Sequence, residues 1–249
     1  LIRDGDAYVL RFERELPHPI DRVWQALTEP AGLAAWFPSA VEMELRVGGT
    51  IVYLNDPGFE VDPELLATSG EVVELDPKRR LAFTWGNDLL RFELAPRGAG
   101  CRMVFTHRLP HRALVNRTVS GWSVCLDSLA AAVADTPADS PGWRHYYDHY
   151  VTLFGDEGWI DHDARQTVLR FERLMPAPMD RVKPLLAETT PQGLPGEVKW
   201  QLIPIGGTCL VLLTHTVASG WDAEAARRMW EGVLAGLNDS VAQGHSLAQ

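Results

Sequence analysis

Basic charge, cysteine and long apolar runs are all scarce in this chain of 249 residues, and each scarcity removes a class of function. Lys and Arg number 23 against 33 Asp and Glu, giving a net charge of −10 and a pI of about 5.2. That balance lacks the basic footprint needed for nucleic acid or for docking on anionic lipid. Acidity of this kind mainly keeps a protein soluble. The three cysteines, Cys101, Cys125 and Cys209, are too few and too scattered for a disulfide framework or a zinc site. Each reads as a reduced, small, buried hydrophobe. No apolar run approaches the roughly 20 residues that span a bilayer, and Leu1–Asp6 has no signal-peptide core. A cytoplasmic protein is expected, with neither nucleic acid nor membrane as partner. A Walker loop, a dinucleotide glycine fingerprint, a nucleophile elbow and a zinc-protease helix are also missing. No cofactor is expected, and hydrolytic or cofactor chemistry has no support.

What is present is a stretch written twice. Val9-Leu-Arg-Phe-Glu-Arg14 returns as Val168-Leu-Arg-Phe-Glu-Arg173, and Pro17, Pro19, Asp21, Arg22 and Val23 recur as Pro176, Pro178, Asp180, Arg181 and Val182, all at an offset of 159. Further on, Leu94, Pro96, Gly98, Cys101, Thr106, His107, Trp122, Leu126, Leu129 and Val133 match Leu202, Pro204, Gly206, Cys209, Thr214, His215, Trp230, Leu234, Leu237 and Val241 at an offset of 108. A fixed-offset match of this length points to duplication. The change of offset, 159 − 108 = 51, is the length missing from the middle of the second copy. The expected domains are a complete copy at 1–155 with an extra C-terminal helix, a linker at 156–164 and a truncated copy at 165–249.

Within the first copy, Ala7–Leu16 alternates and reads as a strand closed by Pro17 and Pro19. Ile20, Val23, Trp24 and Leu27 share a helical face that Pro30 stops, and a second short helix is expected from Ala31 to Trp36. Val41–Val47 reads as a strand with one face buried, turned by Gly48-Gly49 into Thr50–Leu54. Asn55–Leu66 is a Pro/Asp-rich loop of a length that suits a lid or a loose connection. Strands follow at Ser69–Leu75, around Leu81–Trp85, around Leu90–Leu94 and up to His107. Val115, Val119, Trp122, Leu126, Leu129 and Val133 then mark a long helix. Antiparallel sheet plus one long helix is an α+β design, and a curved sheet gripping a helix offers a ligand cavity between them. Trp143, Tyr146, Tyr147, Tyr150, Val151 and Phe154 form another helical stripe. In the second copy one strand, a helix cut short near Pro184, two strands and a long helix are expected. Such a three-stranded remnant is expected to pack as a cap or pseudo-dimer partner and to leave strand edges that need covering.

Glu13-Arg14, Pro19-Ile-Asp-Arg-Val-Trp24, Thr28-Glu-Pro30, Trp36-Phe37, Gly48-Gly49, Glu74-Leu-Asp-Pro77, Leu81-Ala-Phe-Thr-Trp85 and Gly121-Trp122 with Leu126 and Leu129 together resemble the START-like helix-grip (SRPBCC) superfamily. The nearest branch is the bacterial one named for homologues of the 90-kDa heat-shock protein ATPase activator. The resemblance implies a curved antiparallel sheet wrapped around a long C-terminal helix, here duplicated with a truncated second copy. Members of the superfamily include lipid and hormone carriers, polyketide cyclases and aromatases, and chaperone regulators. No stretch resembles the separate N-terminal chaperone-binding domain of the eukaryotic activators.

The leading expectation is a protein that binds a small apolar, aromatic or lipid-like molecule between sheet and helix. The candidate pocket residues are Trp85, Phe83, Phe92, Met103, Phe105, His107, Trp122 and Leu126. His107 is in phase with Met103 and Phe105, where an imidazole orients a ligand carbonyl, acts as a base or ties strand to helix. The last role is favoured because His215 recurs in the truncated copy. No catalytic residue is assigned. A cyclase-like enzyme needs several converging polar groups, and only His107 offers itself. Glu71 and Glu74 are candidates for an inward carboxylate, though a solvated position suits both. His145 and His149 share metal-ligand spacing, with His162 or Asp161 as the third group required; no metal site is assigned. A chaperone-regulating or other interaction module, or a homodimer, would use the Trp143–Phe154 stripe or uncovered strand edges.

Overall fold

The computed structural model describes residues 1–4, 7–54, 68–109, 115–156, 158–162 and 165–243. The Asn55–Leu66 loop therefore lies outside the described residues. The described residues up to Phe154 form one compact unit and those from Gly155 form a second.

In the first unit the strands are β1 (Ile2–Asp4), β2 (Ala7–Leu16), β3 (Ala40–Met43), β4 (Thr50–Leu54), β5 (Ser69–Asp76), β6 (Arg80–Trp85), β7 (Asp88–Arg97) and β8 (Gly100–Leu109). They form an antiparallel sheet in the order β1-β2-β8-β7-β6-β5-β4-β3. The helices are α1 (Ile20–Thr28), α2 (Pro30–Ala34), α3 (Val115–Ala134) and α4 (Trp143–Phe154). The arrangement is α+β helix-grip. The inner sheet face carries Leu10, Phe12, Leu81, Phe83, Leu90, Phe92, Met103 and Phe105, and α3 buries Val119, Trp122, Leu126, Leu129 and Val133. Alternation selects these residues, because every second side chain of a strand points to one face.

The outer face of β2 and β8 is ionic. Glu13 accepts hydrogen bonds from Arg102 and Arg11, and these, led by Arg102, hold its carboxyl at about 2. A depressed folded value means the contribution is present above the unfolded value of 4.5 and is lost as pH falls from there towards 2. The groups are exposed, so salt screens the effect. Glu13→Gln is expected to flatten the acid limb of the stability curve at low salt. Urea titrations between these pH values check it, and high salt should erase the difference.

One first-unit expectation is corrected, the two candidate carboxylates are decided in favour of the solvent side, and one strand is added. The strand read over Val41–Val47 stops at Met43. Glu44 N–H donates to Thr50 O and Gly49 N–H to Arg46 O, so the chain turns early and leaves Leu45 and Val47 exposed. The turn needs glycine, since Gly48 has φ +75 and a Cβ at Gly49 would stand 2.0 Å from Glu44 O. In β5 the ladder register to β6 shifts between Val72 and Glu74. This bulge breaks the period of two. Val72 stays buried, while Glu74 meets Arg80 at 3.0 Å and Arg91 at 3.2 Å. Glu71 is exposed, so neither carboxylate is a buried group facing the helix. The strand β1 was not anticipated.

The second unit contains β9 (Trp159–His162), β10 (Gln166–Met175), α5 (Met179–Thr189), β11 (Glu197–Ile205), β12 (Thr208–Ala218) and α6 (Ala223–Gln243), with sheet order β11-β12-β10-β9. Two further corrections belong here. The stretch read as a linker carries β9, paired antiparallel with β10, so the sheet has four strands. The helix also does not end near Pro184 but continues to Thr189. Its core is largely aliphatic: Leu169, Val182, Val211, Leu213, Leu234 and Leu237 surround Trp230.

Candidate functional site

The first unit's interior is organised as a run of rings. Register brings Phe12 opposite Phe105 and Phe105 opposite Phe92. The three stack across β2, β8 and β7, with centroids 5.6 and 4.5 Å apart. Phe83 stacks on Phe92 at 6.0 Å, and Trp122 of α3 meets Phe105 edge-on at 4.7 Å. The hub is Phe37, which follows α2 and touches Trp36, Tyr53, Phe83, Trp85 and Trp122 within 6.2 Å. Trp85 closes the run, 5.7 Å from Trp122 and 6.0 Å from Tyr53.

The eight candidate residues fall into two groups. Phe83, Phe92, Met103, Phe105, His107, Trp122 and Leu126 are each no more than 2% exposed and form the floor of the core. Trp85 is only partly buried and stands at the sheet end. Phe37, Tyr53 and Asp88 also belong to this end. Trp36-Phe37 belongs to the family-like motif set and Tyr53 to a strand pattern, but no spacing in the sequence places either beside Trp85. Trp24 and Trp36 are buried, and Trp36 Nε1–H donates to Ala26 O at 2.8 Å.

The polar groups among the rings are almost all satisfied. Trp122 Nε1–H donates to His107 Nδ1 at 2.7 Å. That leaves His107 Nε2 to carry the proton and donate to Asp88 Oδ2 at 2.9 Å. With both ring nitrogens engaged, His107 ties β7 and β8 to α3 and offers no lone pair to a substrate. The second unit makes the same tie: Trp230 Nε1–H donates to His215 Nδ1 at 3.0 Å, and His215 Nε2–H donates to Pro195 O at 2.8 Å. Tyr53 O–H donates to Thr84 O at 2.6 Å, and burial pushes its phenol pKa up. The exception is Trp85 Nε1, a buried donor with no acceptor among the described residues. An unmade bond of this kind costs about 1–3 kcal/mol.

Gly70 sets the approach of β5 to this end. A Cβ there would stand 2.0 Å from Thr84 O and 3.1 Å from the Tyr53 ring. Gly70→Ala is expected to displace the Thr84 carbonyl, loosen Tyr53 and cost about 1–3 kcal/mol, as overpacking does. Chemical denaturation measures the loss, and Tyr53→Phe should be far milder.

The other candidates lie apart from the rings. His145 and His149 are exposed on α4. Asp161 is bound by Arg170 and Trp159, and His162 meets Thr167. Among the described residues no three His, Cys, Asp or Glu gather as metal ligands. The stripe on α4 is turned towards α3. Tyr146 O–H donates to Asp127 Oδ2 at 2.7 Å, and Tyr150 O–H lies 3.0 Å from Ser123 Oγ. Burial, with the Asp127 bond, pushes the Tyr146 phenol up to about 12. No helix among the described residues is long and apolar enough to cross a membrane.

No curated protein matches the chain. Among solved structures, a conserved protein of unknown function from Enterococcus faecalis is 23% identical, with a TM-score of 0.51 over 60% of this chain and 86% of its own. CalU16 from Micromonospora echinospora is 20% identical, with a TM-score of 0.47 over 59% and 86%. A protein from Nitrosomonas europaea is 26% identical, with a TM-score of 0.44 over 53% and 97%. The first likeness is one of fold alone. The family model described as "Activator of Hsp90 ATPase homolog 1-like protein" matches residues 17–134, which span α1 to α3. Over residues 17–134 the chain is therefore similar to the activator of Hsp90 ATPase homolog 1-like family, and its fold is that of the START-like helix-grip superfamily.

Proposed function

We propose that the first unit binds a small apolar or aromatic molecule at the end formed by Phe37, Tyr53, Trp85 and Trp122. The observation that carries this reading is Trp85, a partly exposed ring set among three other rings, with a buried N–H that has no acceptor among the described residues. A buried unsatisfied donor calls for an explanation, and apolar walls with a few fixed polar groups are what ligand sites use. The second unit has a structural part in this reading. At an offset of 108 its core replaces Phe105 with Leu213, and the stretch carrying Tyr53, Phe83 and Trp85 is missing, while Phe171, Trp200 and Trp230 stand where Phe12, Phe92 and Trp122 do and the histidine–tryptophan tie remains.

Binding is favoured over cyclase-like catalysis because His107 is occupied at both nitrogens. It is favoured over a protein-docking role for α4 because Tyr146 and Tyr150 are engaged by α3. A thermal-shift screen against fatty acids, sterols, flavonoids and polyketide-like aromatics tests the reading. A ligand at 100 times its Kd stabilises by about 2.7 kcal/mol, roughly 5–10 °C for a unit of this size. The expected result is a shift for one chemical class that disappears in a folded Trp85→Ala protein. No shift for any class would refute the reading.

A further inference from the structure

We infer that the molecule held at the Trp85 end is a neutral aromatic compound bearing a hydrogen-bond acceptor oxygen, a ketone or ether rather than a hydrocarbon or a carboxylate. The inference rests on the proposed binding reading and narrows it. Three observations lead to it.

The first is the inventory of donors. Trp36 donates to Ala26, Trp122 to His107, and Tyr53 to Thr84. Trp85 Nε1–H is left as a buried donor among the rings, with no acceptor among the described residues. Indole nitrogen donates and never accepts, so the ligand must bring the acceptor. A site built around a donor discriminates against an analogue that lacks the matching oxygen, because the donor then stays unpaired.

The second is the surface offered around that donor. Phe37, Tyr53 and Trp122 hold their rings at interplanar angles of 52°, 46° and 71° to Trp85. Tilted rings present edges and faces together, the arrangement that accommodates another aromatic ring.

The third is charge. Asp88 is the cross-strand partner of Trp85 in the β6–β7 ladder. Its carboxylate is held by His107, and its side chain is only 28% exposed. A second carboxylate brought to Trp85 would meet like charge with little water to screen it, whereas a neutral carbonyl would not.

Three probes of matched shape separate the possibilities: 2-acetylnaphthalene, 2-isopropenylnaphthalene and 2-naphthoate, titrated calorimetrically into the full chain. The ketone is expected to bind about tenfold tighter than the hydrocarbon, as one additional well-made hydrogen bond gives, and tighter than the carboxylate. In Trp85→Phe, which keeps an aromatic ring but removes the N–H, ketone and hydrocarbon should bind equally. Wild-type protein provides a readout that does not depend on the variant folding: the Trp85 indole proton should move downfield with the ketone and not with the hydrocarbon. Equal affinity for ketone and hydrocarbon in the wild type, with an unmoved indole proton, would overturn the acceptor inference while leaving apolar binding intact. Tightest binding of the naphthoate would overturn the requirement for neutrality. Absence of binding by all three would count against the binding reading itself and remove the inference with it.

Discussion

Phe105→Ala is expected to destabilise the first unit by about 3–5 kcal/mol, the range for truncating a buried phenylalanine. Phe105 is 0% exposed and lies between Phe12 and Phe92, with Trp122 against its edge. Truncation removes the ring's transfer free energy and leaves a cavity whose walls are three rings fixed by β2, β7 and α3. Walls held by a sheet and a helix collapse poorly, so the upper half of the range is expected. At roughly 2–4 °C per kcal/mol for a unit of this size, the transition should fall by about 10 °C. Leu213, at the corresponding place in the second unit, is also buried, at 1% exposed. Leu213→Ala should cost about 2–4 kcal/mol by the same reasoning. A denaturation midpoint for Phe105→Ala within 1 kcal/mol of wild type would mean that the ring stack is not tightly packed.

The second large effect concerns the histidine–tryptophan ties. His107→Leu removes two hydrogen bonds and leaves the Trp122 N–H without an acceptor beneath a side chain 2% exposed. The expected cost is about 2–4 kcal/mol, much of it from the stranded donor. Trp122→Phe removes the other partner. If the tie is what matters, the double variant His107→Leu/Trp122→Phe should be more stable than the sum of the single losses by about 1–2 kcal/mol. His215→Leu and Trp230→Phe should behave in parallel, because His215 and Trp230 are both 0% exposed. Additive losses in either unit would show that the bond contributes little. A catalytic His107 would instead give a variant that folds normally and loses only turnover.

Much of the fold was legible because local periodicity and tertiary burial agree. Ala7–Leu16 has the same bounds as strand β2, and the stripe from Val115 to Val133 is the buried face of α3. The departures occur where a turn or a distant partner overrides the pattern. Leu45 and Val47 continue an alternation in sequence, yet the hydrogen bonds at Glu44 and Gly49 end the strand before them. Glu74 shares parity with Val72, but the bulge moves it to the arginines. Trp159–His162 is too short to announce a strand by itself and is defined by its register with β10. Pro184 lies inside a helix that packs on the second unit's core through Val182, Leu185 and Leu186, and this burial outweighs the missing N–H.

The candidate site was half legible for the same reason. Phe83, Phe92, Met103, Phe105, Trp122 and Leu126 follow from strand and helix phase. Phe37 and Asp88 do not, because Phe37 sits in a turn and Asp88 opens a strand, so neither belongs to a readable period. The role of His107 was visible only by comparison with His215. Its second partner, a carboxylate in one unit and a backbone carbonyl in the other, is set by tertiary packing and has no counterpart in the sequence pattern.

The most direct measurement is an NMR titration of the full chain with the compound giving the largest thermal shift, following assigned aromatic, indole and methyl resonances. Saturable changes are expected to concentrate on Phe37, Tyr53, Trp85 and Trp122, with Trp200, Trp221 and Trp230 of the second unit unmoved. Changes confined to the second unit, or scattered over exposed residues without saturation, would contradict a site at the Trp85 end.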